Sequence, residues 1–310
     1  MKFRLASELQ RRLVEYPPPG WIAKREVGLL SPKLTRVLGY RPCVDLLLES
    51  QAAAQRIWVE FEISRADPVA NHTKFASAHL IDPLPSGDVF VSLVSNDIAR
   101  GRANLGAHAI FLLRLAGLHA FQMPLLPSLD AETIKKLNQG RIGLDAVPDL
   151  GMVEVIELTY PVCGSAAVSR IYYATNRLEV LLNLHQWNSD MAQPALRKQW
   201  GQRKIRYLVA DPCSGLFAPA KFCAYTRMPC RLAGPEAPTP CMTVPAYVGV
   251  PKADTIFDGQ KARIRIERIG LRPVRLEDAP RSLVRSFEKW HSANRESIKV
   301  ALEVCVLLRP

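Results

Sequence analysis

Hydrophobic and polar positions recur with different periods along this chain, and the changes of period mark its elements. Phe3, Leu5, Leu9 and Leu13 fall at helical spacing, which predicts a helix over residues 2–15 with one buried face. Pro17-Pro18-Pro19-Gly20 ends it. A second, short helix is predicted over 24–30, after which Gly39 and Pro42 break the pattern. Residues 43–48 are short and apolar and read as a strand. Residues 56–64 alternate with period two: Ile57, Val59, Phe61 and Ile63 on one face, Trp58, Glu60 and Glu62 on the other. The connection between these strands is short enough for antiparallel pairing. Asp67-Pro68 reads as an N-cap followed by proline at the first helical position, opening a helix to about residue 80. A β-branched strand is predicted over 88–94 and a long apolar helix over 102–121. Strands mixed with helices in this order predict an α/β domain with a mixed sheet over residues 1–150.

Beyond residue 150 the pattern predicts strands over 153–159, 207–210, 261–269 and 300–308. Helices are predicted over 171–187 and 280–295, and the Pro-, Gly- and Ala-rich stretch 229–251 reads as loop. Residues 151–310 are therefore expected to form a second, α+β domain. A chain of 310 residues can bury two such cores without disulfides.

Charge changes the picture. Forty-one Lys and Arg against 29 Asp and Glu leave a formal net charge of +12, which points to polyanionic partners. The seven cysteines are odd in number and irregularly spaced, and residues 1–8 lack an apolar leader core, so reduced thiols in a cytoplasm are expected. Cys213, Cys223, Cys230 and Cys241 contain no C-x₂-C pair, so they are read as buried thiols rather than a zinc site. The longest apolar run, 107–121, is too short to span a bilayer and Arg114 interrupts it; no membrane partner is expected. The segment 101–106 lacks the lysine of a phosphate-binding loop.

The candidate chemistry lies in Arg41-Pro-Cys-Val-Asp45 and Trp58-Val-Glu60-Phe-Glu62. Side chains two apart on a strand point the same way, about 6.6 Å apart. Glu60 and Glu62 thus share a face, and Asp45 joins them if its strand pairs alongside. Three carboxylates so placed repel one another, and a divalent cation removes the conflict. The competing reading of the same spacing is a solvated strand face.

The order of elements and acids resembles the PD-(D/E)xK nuclease superfamily, in particular type II restriction endonucleases, over roughly residues 1–125. Asp45 matches the acid of the first strand and Glu60 the acid of the second, with helices before and after. Two positions depart: Pro42 stands three residues before Asp45, and Glu62 occupies the lysine position, giving E-x-E. Some members move the lysine to the following helix, where Lys74 stands. The resemblance implies that Asp45 and Glu60 ligate Mg²⁺, with the Phe61 carbonyl as a further ligand. It implies that Glu62 serves a second metal or accepts a proton, and that Lys74 neutralises the scissile phosphate. Glu26 is expected on the surface of the early helix.

Basic segments supply the expected nucleic-acid contacts. Arg197, Lys198, Arg203, Lys204 and Arg206 cluster without an acid, with Trp200 and Tyr207 among them. Lys261, Arg263 and Arg265 line one face of a predicted strand, and residues 261–310 carry half of the net charge. The expectation is a Mg²⁺-dependent endonuclease acting on double-stranded DNA as a homodimer. The alternative is a DNA-binding protein whose nuclease site has decayed.

Overall fold

The computed structural model describes residues 4–52, 55–64, 68–85, 87–143, 145, 152–153, 155–156, 173–174, 177–200, 203–221, 225–226, 240–241, 246–248 and 271–308. The chain forms two compact units, Met1–Cys163 and Gly164–Pro310.

The first unit is mixed α/β. Its elements are α1 (Arg4–Glu15), β1 (Trp21–Gly28), α2 (Pro32–Leu38), β2 (Cys43–Ser50), β3 (Arg56–Glu62), α3 (Pro68–Ile81), β4 (Val89–Ser95), α4 (Arg100–Leu115), β5 (His119–Leu125) and α5 (Ala131–Asn138). The five strands lie in sequence order in one sheet. β1, β2 and β3 form an antiparallel meander; β3, β4 and β5 run parallel, joined by crossovers through α3 and α4. One face of the sheet packs Trp58, Phe90 and Ala120 against Phe75 of α3 and Ile110 and Leu113 of α4. At the start of β3, the buried Asp88 accepts from Trp58 Nε1 at 2.8 Å and pairs with Arg56 Nη2 at 2.8 Å.

Three expectations for this unit need correction. Residues 24–30 are not a helix. Trp21 and Ala23 are buried while Ile22 and Lys24 are exposed, a period of two, and the segment pairs with β2 from Trp21↔Ser50 to Gly28↔Cys43. The helix expected over 102–121 ends at Leu115, and the chain turns through Gly117 at φ 97° into β5. The apolar run concealed that turn because the last helical turn and the buried strand are equally apolar. Buried Arg114 ties the two together, its Nε donating to Ala120 O at 2.8 Å. The strand expected over 153–159 is not formed at Met152, Val153, Val155 and Ile156, which are helical. Sequence pattern also passed over α2, capped by Ser31, and α5, capped by Asp130. Asp67 lies outside the described residues.

The second unit contains α6 (Arg177–Ala192), α7 (Pro194–Trp200) and α8 (Arg281–Asn294) with β6 (Tyr173–Ala174), β7 (Arg203–Asp211), β8 (Leu216–Lys221), β9 (Tyr225–Thr226), β10 (Pro240–Cys241), β11 (Ala246–Val248), β12 (Leu271–Val274) and β13 (Ile298–Leu308). Six of the strands form a sheet in the order β12-β13-β7-β8-β11-β6; β9 and β10 pair separately. Phe217, Trp187, Phe287 and Trp290 pack together, and Asn188 bridges Trp290 Nε1 to the Phe217 carbonyl at 2.9 Å on each side. The helix expected over 171–187 starts later, at Arg177. Residues 261–269 lie outside the described residues. Among the described residues, no helix is long and apolar enough to cross a membrane.

Candidate active site

Register brings the acids together. The β2–β3 ladder pairs Leu46↔Val59, Leu47↔Trp58 and Leu48↔Ile57. Continued by one place, it sets Asp45 across from Glu60. There Asp45 Oδ2 accepts the Phe61 N–H at 2.8 Å. On the other side, Glu26 sits between the pairs Arg25↔Leu46 and Val27↔Val44, which sets it across from Asp45. Glu26 has φ 52°, a left-handed conformation inside a strand, and the ladder skips it. Glu26, Asp45 and Glu60 therefore form one row across three strands.

The row opens into a cavity of about 430 Å³ at the carboxyl end of β3, where the first turns of α3 begin. Its wall includes Glu26, Arg41, Asp45, Glu60, Asn71 and Lys74. In sheets of this kind, ligands sit at the carboxyl ends of parallel strands. Gln10 of α1, almost wholly buried, donates from Nε2 to Asp45 Oδ1 at 2.9 Å and to Glu26 Oε1 at 3.1 Å. Lys74 Nζ pairs with Glu60 Oε1 at 2.9 Å and donates to Asn71 Oδ1 at 3.2 Å. Asn71 Nδ2 in turn donates to Glu62 Oε1 at 2.9 Å.

Burial decides the protonation of this group. Glu60 is 3% exposed and Glu62 0%, so the solvated-face reading does not hold. Loss of water raises the Glu60 carboxyl first, and the Asp45 charge raises it further; Lys74 works against both, and the result is about 8 against an ordinary 4.5. Asp45 is raised as well, chiefly by burial, with the Phe61 N–H and a hydrogen bond with Glu60 holding it down and the Glu26 charge adding to the rise. Two buried acids with raised proton affinities can exchange a shared proton for a dication. Their hard oxygens suit Mg²⁺, which uses one or two protein carboxylates beside water and phosphate oxygens. Among the described residues, no three His, Cys, Asp or Glu side chains already converge as a metal cage.

Of the residues singled out in the sequence, Asp45, Glu60, Phe61 and Lys74 meet at the cavity wall. Lys74 is not a free surface lysine; its side chain is 22% exposed and held by Glu60. Glu62 lies behind the wall, bonded to Asn71. Glu26, expected on a helix, belongs to β1 and lines the cavity. Sequence reading missed Gln10 and Asn71. Gln10 follows the buried Leu9 on α1, and a neutral amide beside an apolar stripe was the signal available.

The expected DNA contacts belong to the second unit. Arg197 is half-buried, its Nε donating to the Met191 carbonyl at 2.7 Å, while Lys198 is exposed. The backbones of Arg203 and Lys204 open β7, where they run in register with Ile298 and Lys299 of β13. Lys261, Arg263 and Arg265 lie outside the described residues. Cys213 is an exposed free thiol on the β7–β8 turn rather than a buried one. No family model, curated protein or solved structure matches the chain.

Proposed function

We propose that the first unit is a metal-dependent endodeoxyribonuclease of the PD-(D/E)xK kind, hydrolysing phosphodiester bonds in duplex DNA. One observation carries the reading: a lysine from the helix after β3 meets the β3 acid directly beside the β2 acid. Asp45 and Glu60 would hold Mg²⁺, with Phe61 lending its backbone carbonyl. Such an ion, when bound, would supply Lewis acidity toward the phosphate and lower the pKa of a water.

The protein groups divide the remaining work. Lys74 leaves Glu60 for the scissile phosphate once the Glu60 charge is taken up elsewhere, and holds the negative charge that develops there. Asn71 limits where the ammonium can go, because its Oδ1 accepts from Nζ. Glu62 fixes the orientation of the Asn71 amide by accepting from Nδ2. Glu62 is thus a positioning residue and replaces no lysine. Gln10 holds the Asp45 carboxylate from behind. The second unit contributes cations to the DNA backbone, and two copies of the chain cut the two strands.

Incubation with unmethylated genomic DNA and Mg²⁺ should give discrete fragments. Glu60→Ala and Lys74→Ala should abolish cutting while duplex binding stays within several-fold of wild type. Intact DNA in the presence of Mg²⁺ or Mn²⁺, with duplex binding preserved, would overturn the reading in favour of a binding protein without catalysis.

A further inference from the structure

Arg41 stands in the wall of the carboxylate cavity, and among the described residues it makes no hydrogen bond or ion pair. Its side chain is exposed, as is that of Arg25 on β1, which likewise has no such partner among the described residues. Lys24 pairs with Glu49, Arg56 with Asp88, and Lys74 with Glu60. A guanidinium presents five donors in a planar fork suited to phosphate oxygens. Among the described residues none of them is engaged, in a cavity wall shared with Glu26, Asp45 and Glu60.

The position is built rather than accidental. The helix before it, α2, ends at Gly39 with φ 73°, whose N–H returns to the Thr35 carbonyl at 3.2 Å. Pro42 directly after Arg41 is buried, and its carbonyl accepts the Leu29 N–H at 2.9 Å. The backbone of Arg41 is therefore tied to the end of β1. Its side chain crosses that strand at Gly28. A methyl group there would already touch the guanidinium, at 3.4 Å from Nε and 3.6 Å from Nη2. Anything larger than alanine would push the fork off the strand.

We propose that Arg41 anchors a non-reacting phosphate of the DNA strand that enters this cavity. The inference rests on the nuclease reading and narrows its substrate: the site takes a continuous phosphodiester backbone, gripped at Arg41 as well as at the reacting phosphate. A phosphate monoester would leave Arg41 idle. The negative row behind it repels a backbone. A cation with no acidic partner among the described residues is what lets a polyanion approach those acids.

The test is binding of a 30-base-pair duplex of random sequence to the full-length protein in EDTA, read by fluorescence anisotropy over a salt series. Each lost phosphate contact lowers the salt slope by about one unit. Arg41→Ala should lower it by about one and weaken binding roughly tenfold at 0.1 M salt. Arg41→Lys should keep the slope, because an ammonium still displaces a counterion. Lys33→Ala, an exposed α2 residue carrying the same charge change outside the cavity wall, should keep it too. Circular dichroism should be unchanged in all three. An Arg41→Ala slope and affinity equal to those of Lys33→Ala would overturn the proposal, and if wild type still cuts DNA the nuclease reading survives. A slope loss confined to Arg41→Ala in a protein that never cuts DNA supports the phosphate anchor and overturns the nuclease reading instead.

Discussion

Glu60→Gln tests the electrostatics of the acid pair without reference to any substrate. Glu60 holds its proton up to about pH 8 in the folded chain, against an ordinary value of 4.5. The folded state therefore binds more protons than the unfolded state between those limits, and stability falls as pH rises through them. The full contribution is present below 4.5 and lost above about 8. Integrated over that window, it is bounded by about 5 kcal/mol. Relaxation of the buried site reduces this, as does the loss of the Lys74 partner, so we expect roughly half of the bound to be visible. The glutamine variant has nearly the same shape and no such titration.

The expected outcome is a pair of curves that coincide at low pH and diverge as pH rises. In EDTA at pH 5 the variant and wild type should unfold alike. At pH 9 the variant should be more stable by about 2 kcal/mol. Urea unfolding followed by circular dichroism gives the difference, and hydrogen exchange of the peptide over β3 assigns it to the first unit. Asp45→Asn supplies a companion: removal of its charge takes away the second-largest cause of the Glu60 shift, so the fall in stability should move to lower pH. Parallel pH curves for wild type and Glu60→Gln would refute the argument, because they would place an ordinary carboxyl at position 60.

Asn71→Leu should lower cleavage about a hundredfold with duplex affinity unchanged, since it frees Lys74 from its guide; equal loss of binding would show that Asn71 holds DNA directly. Asp88→Ala leaves the buried Trp58 Nε1 and the Arg56 guanidinium without their partner, and should cost about 3 kcal/mol in urea unfolding while activity per folded molecule persists. Gly106→Ala would put a methyl 2.7 Å from Gln122 Oε1 and 3.0 Å from Pro68 Cβ, and should lower stability by about 1–3 kcal/mol; an unchanged melting temperature would show that α3 and α4 can separate freely.

The central strands were legible because each reports its own environment. Residues 56–62 alternate, and residues 89–95 are mostly apolar and buried throughout, as strands covered on both faces are. β1 was not legible. Lys24-Arg25-Glu26 carries three exposed side chains in a row, so period two fails where the left-handed Glu26 interrupts it. β5 was hidden for the opposite reason: nothing polar stands between Arg114, in the last turn of α4, and His119 at the start of β5, and the Arg114 guanidinium is spent inside the core on the Ala120 carbonyl. Asp45, Glu60 and Lys74 could be assembled by sequence because two neighbouring strands and the next helix carry them. Gln10 could not, since its partners stand 16 and 35 residues away on β1 and β2.

The left-handed conformation of Glu26 links these failures to the chemistry. In a regular ladder, a residue across from Asp45 would bond its backbone to β2 and leave little space at the strand ends. Here the ladder skips Glu26, and Asp45 turns its own carboxylate to the Phe61 N–H beyond the last regular pair of β2 and β3. Both interruptions fall at the same row, where the sheet must stop being closed if anything is to reach Glu60. Hydrophobic burial on the α3–α4 face holds that part of the sheet shut around Trp58, Phe75 and Phe90. The acids at its edge therefore work against stability that the core supplies, which is the arrangement expected where charge is kept for a ligand rather than for the fold.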